Sequence, residues 1–376
     1  MLQQVQLQSF HNKNGHLVEF AGFNLPLWYT GIIPESLTVR NDVGLFDVSH
    51  MGRALVTGEQ SERFLQHLTT NDVSALTDGV GQYSLLCNRE GGIKDDILVL
   101  RLQKNRYLIV YNAANRATDF SWFLENKGEL RVEIEDISND VALFAVQGPK
   151  AIRLMTEASG DSRLAGLSRF RCAWSDVDGC RVLLSRTGYT GEDGFEVFVW
   201  DSPVGYSGRA ETVWEKLRGL GKPWGLELCG LGARDLLRLE AGLCLYGTDI
   251  DEATNPFEAK LGFVVKLQKD FIGKSKLQEA KENGPKKLRV GLLMQGRAIP
   301  RHGFNIAVQG DEVGVITSGT LSPLINRGIG MGYVDQAVAK VGAQADVRVR
   351  DRYEPAMITK TPFYDTLKYG YSRKAL

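Results

Sequence analysis

The sequence predicts an α+β fold followed by a small all-β domain at the carboxyl end. Three observations support this prediction. Short apolar runs alternate with helix-like periodic segments through about the first 275 residues, and beyond a polar segment, 279–287, short β-like runs are separated by glycine turns. Glycine is also frequent, at 41 of 376 residues. The many turns that glycine permits favour a strand-rich architecture.

The individual elements follow from the spacing of apolar residues. Apolar runs bounded by Gly, Asn or Asp are typical of strands, and they occupy 97–102, 107–110, 141–146 and 181–185. Helical spacing of apolar residues predicts helices over 61–68 and 212–220. The polar segment 279–287 (EAKENGPKK) carries a Gly-Pro breaker. We therefore expect one α+β region over 1–278 and a separate all-β domain over 285–372.

Composition and charge exclude several classes of protein. Charged residues make up 24% and hydrophobic residues 43% of the chain, which is ordinary for a soluble globular protein. No run of eighteen apolar residues is present to cross a bilayer. The 45 basic and 45 acidic residues give a formal net charge of 0, without the basic excess of a nucleic-acid-binding protein. We therefore expect neither a membrane nor a nucleic acid as partner.

Cysteine usage and the amino terminus indicate a cytoplasmic protein. The 5 cysteines are odd in number and include no C-x-x-C pair, so neither a disulfide framework nor a cysteine zinc site is expected. The amino terminus lacks the apolar core of a secretory signal and the arginine-rich character of a transit peptide. The 5 histidines show no paired ligand spacing. We expect no metal and structural histidines, with His11 and His16 at a surface helix end.

The usual catalytic and nucleotide-binding motifs are missing. The sequence contains no G-x-x-x-x-G-K-[ST], no H-E-x-x-H and no G-x-S-x-G. Its chemistry should therefore depend on carboxylate, arginine and aromatic side chains, which are concentrated in three segments.

The first segment is 91–96 (GGIKDD), where a glycine turn places two adjacent acids at the start of an apolar strand. Because successive strand side chains point to opposite faces, we expect one of Asp95 and Asp96 to face solvent and the other the interior. A carboxylate at the mouth of such a strand has a raised pKa or a cationic partner, and either suits acid–base or cation-stabilising chemistry. The alternative is that both acids decorate a hairpin turn, and the segment alone leaves both interpretations open.

The second segment is 186–200 (RTGYTGEDGFEVFVW), which predicts a broad hairpin with Glu196, Phe198 and Trp200 on one face. A glutamate that shares a face with two aromatic rings needs hydrogen-bond donors. A planar heterocycle with an amidine edge or a nearby arginine would supply them, and the spacing favours neither.

The third segment is 230–242 (GLGARDLLRLEAG), which places Arg234 in the first turn of a helix. The helix dipole disfavours a basic residue there, so Arg234 is expected to face an anion or a carboxylate. The alternative is a surface pair with Asp235 or Glu240, which would contribute little.

Nine segments in order resemble the aminomethyltransferase (T-protein) family of the glycine cleavage system. They are AGFNLPLWYTGI (21–32), VGLFDVSHMG (43–52), TNDVSAL with GQYSLLCNREGGIKDDILV (70–99), NAAN (112–115), FAVQGPKA (144–151), RTGYTGEDGFE (186–196), GLGARDLLRLEAGLCLYG (230–247), NPFEAKLGFVVKLQKDFIGK (255–274) and ITSGTLSP (316–323). The resemblance covers nearly the whole chain. It implies a three-lobed cloverleaf that binds tetrahydrofolate in its central hole, with two interleaved α+β lobes and a C-terminal β-barrel.

The resemblance also implies roles for individual residues. Asp96 matches the family's catalytic aspartate, the second acid of G-G-I-x-D-D. Glu196 matches the carboxylate that holds N3 and the 2-amino group of the pterin, and Arg234 matches the arginine of A-R-D in the folate site. The other residues implied to line the folate site are Tyr83, Met51, Asn112, Tyr189 and, through a terminal motif that needs one inserted residue, Tyr369.

The function implied is transfer of the methylene carbon of an aminomethyl group from dihydrolipoyl H-protein to tetrahydrofolate. The products would be 5,10-methylenetetrahydrofolate, ammonia and the released carrier, and the partners would be lipoylated H-protein and the small-molecule folate. Two alternatives share the fold: a folate-dependent demethylase and a non-catalytic folate sensor. Demethylases generally depart from RTGYTGEDG and DVSHMG, which are complete here, and the sensors carry K-G-C-Y-x-G-Q-E, which is absent. We therefore expect the aminomethyltransferase.

Overall fold

The computed structural model describes residues 2–373, and its elements follow the predicted order of a mixed region and a β-domain. The helices are α1 (Gln8–Asn14), α2 (Ile32–Asn41), α3 (Ser61–Leu68), α4 (Arg116–Glu125), α5 (Ala151–Ser159), α6 (Gly208–Gly221), α7 (Leu231–Glu240) and α8 (Lys274–Asn283). The strands are β1 (His16–Phe20), β2 (Phe23–Trp28), β3 (Val43–Asp47), β4 (Gly52–Thr57), β5 (Val80–Cys87), β6 (Ile93–Gln103), β7 (Arg106–Tyr111), β8 (Glu133–Asp136), β9 (Ala142–Gln147), β10 (Cys172–Val177), β11 (Cys180–Ser185), β12 (Gly194–Val199), β13 (Leu226–Leu228), β14 (Lys287–Met294), β15 (Asn305–Val308), β16 (Asp311–Ser322), β17 (Arg327–Asp335), β18 (Gln344–Val349) and β19 (Arg352–Thr359). All the strands and helices predicted in the first region are confirmed within a few residues.

One sheet of the mixed region is antiparallel and has the strand order β5-β6-β7-β4-β8. Helices α3 and α4 cover one of its faces, where Phe64 and Phe123 pack against Ile97, Val99 and other buried residues of the sheet. The alternation along β6 therefore turns its odd-numbered residues toward α3 and α4, and its even-numbered residues toward the opposite face.

The second sheet has the order β10-β11-β12-β9-β3-β13, with only the short β13 parallel to its neighbour β3. Helices α5 and α6 cover one face, where Trp214 is the largest buried side chain. The other face packs against the first sheet and α7 through a cluster that includes Phe46, Leu100, Phe198 and Leu237. Because β3 precedes the first sheet in the chain and β9 follows it, the two α+β units are interleaved.

The carboxyl-terminal strands β14 to β19 form a closed antiparallel barrel, which confirms the predicted all-β domain. Its interior contains apolar side chains such as Leu292, Ile316 and Val347. The predicted polar break is partly helical, since α8 ends at Asn283 and the chain then turns at Gly284, which has a φ of +74°. Helix α7 connects the barrel to the sheets, because its Leu239 packs against Ile329 and Met331 of β17.

The prediction that His11 lies at a surface helix end is wrong. His11 is wholly buried, with Nε2 2.8 Å from Oδ2 of Asp47 and Nδ1 2.9 Å from the hydroxyl of Tyr29. The sequence of α1 is polar, and both partners lie in later segments, so local spacing gave no sign of this burial. All 5 cysteines are free and buried. Within residues 2–373, no helix has the length and apolar character needed to span a membrane.

Candidate functional site

Asp96 lies on β6, between a tyrosine of β5 and an asparagine that follows β7. The hydroxyl of Tyr83 donates to Oδ2 of Asp96 at 2.9 Å, and Nδ2 of Asn112 donates to Oδ1 at 2.9 Å. The strand register explains this placement, because Leu98 pairs with Val110, and Asp96 and Asn112 lie two residues beyond that pair on neighbouring stretches of chain. Burial and the neighbouring Asp95 charge together raise the pKa of Asp96 to about 7.

Asp95 is wholly buried and Asp96 is partly exposed, in keeping with the expectation that one of the two acids faces the interior and the other solvent. The Asp95 carboxylate accepts hydrogen bonds from the backbone N–H of Asn112 at 2.9 Å, from Nδ2 of Asn112 at 2.7 Å and from the backbone N–H of Asp96 at 3.0 Å. The physical reason is that Asp95 points toward α4, which covers its face of β6, whereas Asp96 points toward the junction between the two sheets. Because both acids are held by hydrogen bonds, the hairpin-decoration alternative is excluded.

Glu196 lies on β12, opposite Ser185 of β11. The hydroxyl of Thr187 donates to Oε2 of Glu196. Burial raises the pKa of Glu196, while the Thr187 hydrogen bond and the Arg234 charge oppose that rise. Among residues 2–373, no arginine or lysine forms an ion pair with this carboxylate, so the internal-pair alternative is not supported. Glu196 consequently keeps acceptor capacity for a ligand.

Arg234 lies in the first turn of α7, as predicted. Its guanidinium stacks over the ring of Tyr189 with 4.6 Å between the carbon Cζ and the ring centroid, and Nη2 lies 3.9 Å from the sulfur of Met51. The surface-pair alternatives are wrong: Asp235 pairs with Arg238 at 2.8 Å, and Glu240 with Arg40 at 2.9 Å.

Within the described part of the chain, the Arg234 guanidinium forms no ion pair. Burial lowers its pKa. Tyr189, Glu196 and Asp96 act on that pKa in the opposite direction. Arg234 is therefore a cation with open hydrogen-bonding capacity, and the charges of both carboxylates act on it.

The remaining predicted residues divide into two locations. Tyr189 donates its hydroxyl to the carbonyl of Cys244, which fixes its ring beneath Arg234. Tyr369 instead packs against Tyr364, at 6.4 Å between ring centroids, and against Arg373. In residues 2–373 no hydrogen bond or ring contact joins Tyr369 to the other seven. The site thus brings together Asp96, Glu196, Arg234, Tyr83, Met51, Asn112 and Tyr189, and Tyr369 has no such link to it.

Sequence analysis missed one buried acid beside this site. Asp119 on α4 is 1% exposed and lies against Asp95. The available signal was its spacing, because Asp119 and Phe123 stand four residues apart and are the two buried residues of that helix.

Comparisons with known proteins identify the family. The domain described as "GCVT N-terminal domain" matches residues 7–269, and the "Glycine cleavage T-protein C-terminal barrel domain" matches residues 287–365. The aminomethyltransferase of Bacillus subtilis is 42% identical, over 97% of this chain and 99% of that protein. The probable aminomethyltransferase of Pyrococcus horikoshii is 41% identical over the full length of both.

A solved structure agrees with the sequence relatives. The glycine cleavage system aminomethyltransferase T from Bartonella henselae superposes with a TM-score of 0.89 at 34% identity, covering 99% of each chain. The match confirms the predicted α+β cloverleaf with its terminal barrel and favours an aminomethyltransferase over a demethylase or a folate sensor. The chain therefore belongs to the glycine cleavage T-protein family of aminomethyltransferases.

Proposed function

We propose that the chain transfers the methylene carbon of an aminomethyl group, carried on the dihydrolipoyl group of H-protein, to tetrahydrofolate. The carbon–sulfur bond to the carrier and the carbon–nitrogen bond to the amino group break, and the carbon forms bonds to the two folate nitrogens, N5 and N10, whose protons pass to the leaving sulfur and amine. Ammonia and the dihydrolipoyl carrier are released with 5,10-methylenetetrahydrofolate. The observation that supports this most is that one unpaired guanidinium, that of Arg234, feels the charges of two carboxylates with different partners, Asp96 and Glu196.

Asp96 is the residue that we assign to the transfer step. Loss of sulfur from an aminomethyl carbon builds positive charge on that carbon and its nitrogen, and a fixed carboxylate stabilises charge where it develops. Tyr83 and Asn112 hold one oxygen of Asp96 each, so the carboxylate is oriented before substrate binds. The same carboxylate could accept a proton from a folate nitrogen at a contact of about 3 Å.

Glu196 and Arg234 are the residues that we assign to folate binding. The pterin ring presents N–H donors along one edge and a carbonyl beside them, which fits a carboxylate with spare acceptor capacity near an unpaired guanidinium. The folate would lie beside Met51 and Tyr189, which both contact Arg234.

We expect Glu196→Gln to weaken tetrahydrofolate binding by about 1–3 kcal/mol, or about 5- to 150-fold, because a charged acceptor is lost from a buried hydrogen bond. Isothermal titration calorimetry measures this change in tetrahydrofolate affinity. Glu227→Gln is the matched control, since Glu227 is an exposed carboxylate on the same sheet. Unchanged affinity in a folded Glu196→Gln protein would remove Glu196 from the folate site.

We expect the transfer rate to fall about tenfold per unit as the pH drops below about 7, because Asp96 must be ionised and its pKa is raised. The free energy of unfolding should change with pH in the opposite direction to the rate. The folded protein binds a proton that the unfolded chain releases near pH 4, so the free energy of unfolding should decrease as the pH rises from about 4 to 7. Single-turnover rates measure the pH dependence of transfer, and urea unfolding measures the pH dependence of stability. Asp96→Asn should remove the contribution of Asp96 to both. A flat rate profile down to about pH 5 would contradict the assignment.

We expect aminomethyl-dihydrolipoyl H-protein to react at least about tenfold more efficiently, in kcat/KM, than the free aminomethyl-dihydrolipoyl group, because the carrier supplies remote binding energy that positions the carbon. A salt series on both substrates adds a second test. With a formal net charge of 0, only local basic patches could steer the carrier, and added salt should then slow the carrier-bound reaction alone. Equal efficiency of the two substrates would mean that H-protein is not the partner.

An endpoint assay tests the proposed function directly. Carrier loaded with the aminomethyl group is incubated with the enzyme, with and without tetrahydrofolate, and 5,10-methylenetetrahydrofolate is measured. We expect product in proportion to the carrier. Binding of folate without any product would favour the sensor.

We also propose that this reaction takes place in the cytoplasm, which is consistent with five buried cysteines that are free of disulfides.

We further propose that the chain divides into regions 1–278 and 285–372. The start of the barrel at Lys287 supports it.

A further inference from the structure

The carboxyl group of Asp119 has an unusual environment. It is 1% exposed, and within the described part of the chain neither of its oxygens accepts a hydrogen bond from a protein N–H or O–H group. The carboxyl group that acts on it most strongly at close range is that of Asp95. A buried carboxylate without donors is strongly disfavoured, whereas a protonated carboxyl group brings a donor of its own.

The carboxyl group of Asp95 has the opposite environment. Three N–H groups, two from Asn112 and one from Asp96, point at its oxygens at 2.7–3.0 Å. Two carboxyl groups in contact need one proton between them, and the group with three donors is the better anion. The proton therefore belongs on Asp119, and burial and the Asp95 charge raise the pKa of Asp119 to about 11.

Asp95 in turn determines where Asn112 lies. The Nδ2 group of Asn112 donates to Asp95 at 2.7 Å and to Asp96 at 2.9 Å, so one amide group bridges the two carboxylates. An Asp95 without its charge would hold that amide less firmly, and Asp96 would lose a fixed donor.

We propose that Asp119 is a positioning residue which stays protonated at neutral pH and donates a hydrogen bond to Asp95, so that Asp95 fixes Asn112 against Asp96. The proposal rests on the proposed role of Asp96 in transfer. It assigns Asp119 no contact with substrate.

Several charged or titratable groups surround this chain of hydrogen bonds and contribute to its titration. Those whose charges couple to Asp119 are Lys94, Asp95 and Asp96 on β6, Tyr111 on β7 and Tyr246 after α7. Those that couple to Asp96 are Tyr83 on β5, Asp95, Tyr189, Arg234 on α7 and Cys244.

The test compares Asp119→Leu with Asp119→Asn, since only the amide keeps an N–H donor for Asp95. We expect Asp119→Leu to lower the single-turnover rate at saturating folate at least about tenfold, with the dissociation constant for tetrahydrofolate within about threefold of wild type. Asp119→Asn should restore most of that rate without moving the acid limb of the pH profile. Glu125→Leu, an exposed acid on the same helix, is the control and should match wild type.

Infrared spectroscopy reads the proton on Asp119 independently of activity. At about pH 8, where ordinary carboxyl groups are ionised, the wild-type protein should show a protonated-carboxyl C=O band that is missing in Asp119→Asn. No such difference band would overturn the proposal. A shift of the acid limb in Asp119→Asn to lower pH by about one unit or more would also overturn it, because Asp119 would then be a charge that raises the pKa of Asp96.

The variants also separate this proposal from the proposed function. If Asp119→Leu does not fold, the infrared band and the pH profile of Asp119→Asn still test whether Asp119 is protonated and positions Asp95. Equal loss of rate in Asp119→Leu and Asp119→Asn would overturn the positioning role alone. Unchanged transfer in Asp96→Asn would instead overturn the role of Asp96.

Discussion

Asp96→Asn should lower the rate of aminomethyl transfer by about 10²- to 10³-fold, the scale for removing one preorganised group that stabilises transition-state charge. Asparagine keeps the shape of the side chain and can still meet Tyr83, but it cannot offer a negative charge to the cationic transition state. Because that charge matters less to the bound ground state, folate affinity should stay within a few-fold of wild type.

Single-turnover rates with loaded carrier, together with calorimetric titration of tetrahydrofolate, measure the two quantities. Asp78→Asn is a matched control, since Asp78 precedes β5 and its side chain is 57% exposed in a pair with Arg101. A folded Asp96→Asn protein that transfers at the wild-type rate would exclude Asp96 as the catalytic carboxylate.

Arg40→Met should destabilise the protein by about 3–5 kcal/mol, because it leaves the buried Glu240 carboxylate without a cation, whereas Glu192 of the same cluster keeps its pair with Arg373. Arg40 is wholly buried, and its nitrogens bind Glu192 at 2.9 Å and Glu240 at 2.9 Å. Glu240 also accepts a hydrogen bond from Ser322 of the barrel at 2.6 Å, and Glu192 accepts one from the backbone of Gly370 at 2.9 Å. The cluster thus joins α2, the loop before β12, α7, the barrel and the terminal segment.

Urea unfolding of Arg40→Met measures this effect. Arg131→Met is the control, since the side chain of Arg131 is 77% exposed in its pair with Glu59, and pairs of that kind contribute about 0–1 kcal/mol. Losses of equal size in the two variants would show that the buried cluster does not stabilise the assembly of sheets and barrel.

The sequence predicted those features that depend on neighbours along the chain. Period-two alternation gave the strands around Glu196, and the glycine turn before Lys94 placed Asp96 at the start of β6, because both signals are local. The motifs that resemble the family then assigned seven residues that the structure brings together.

The features that sequence analysis missed depend on distant partners. Which of Asp95 and Asp96 is buried is decided by α4, which packs on β6 although β7 lies between them in the chain. The partner of Glu240 is Arg40, 200 residues earlier in the chain, whereas the sequence offered Arg234, only six residues earlier. Burial and pairing of this kind follow from how the sheets, α7 and the barrel pack, and no local spacing reports it.

The most direct test of the account is a titration of the single-turnover transfer rate against tetrahydrofolate concentration, for wild type, Asp96→Asn and Glu196→Gln. The plateau reports the transfer step and the midpoint reports folate binding. We predict that Asp96→Asn lowers the plateau with little change in midpoint, and that Glu196→Gln raises the midpoint and keeps most of the plateau. Loss of the same parameter in both variants would contradict the division of roles between the two carboxylates.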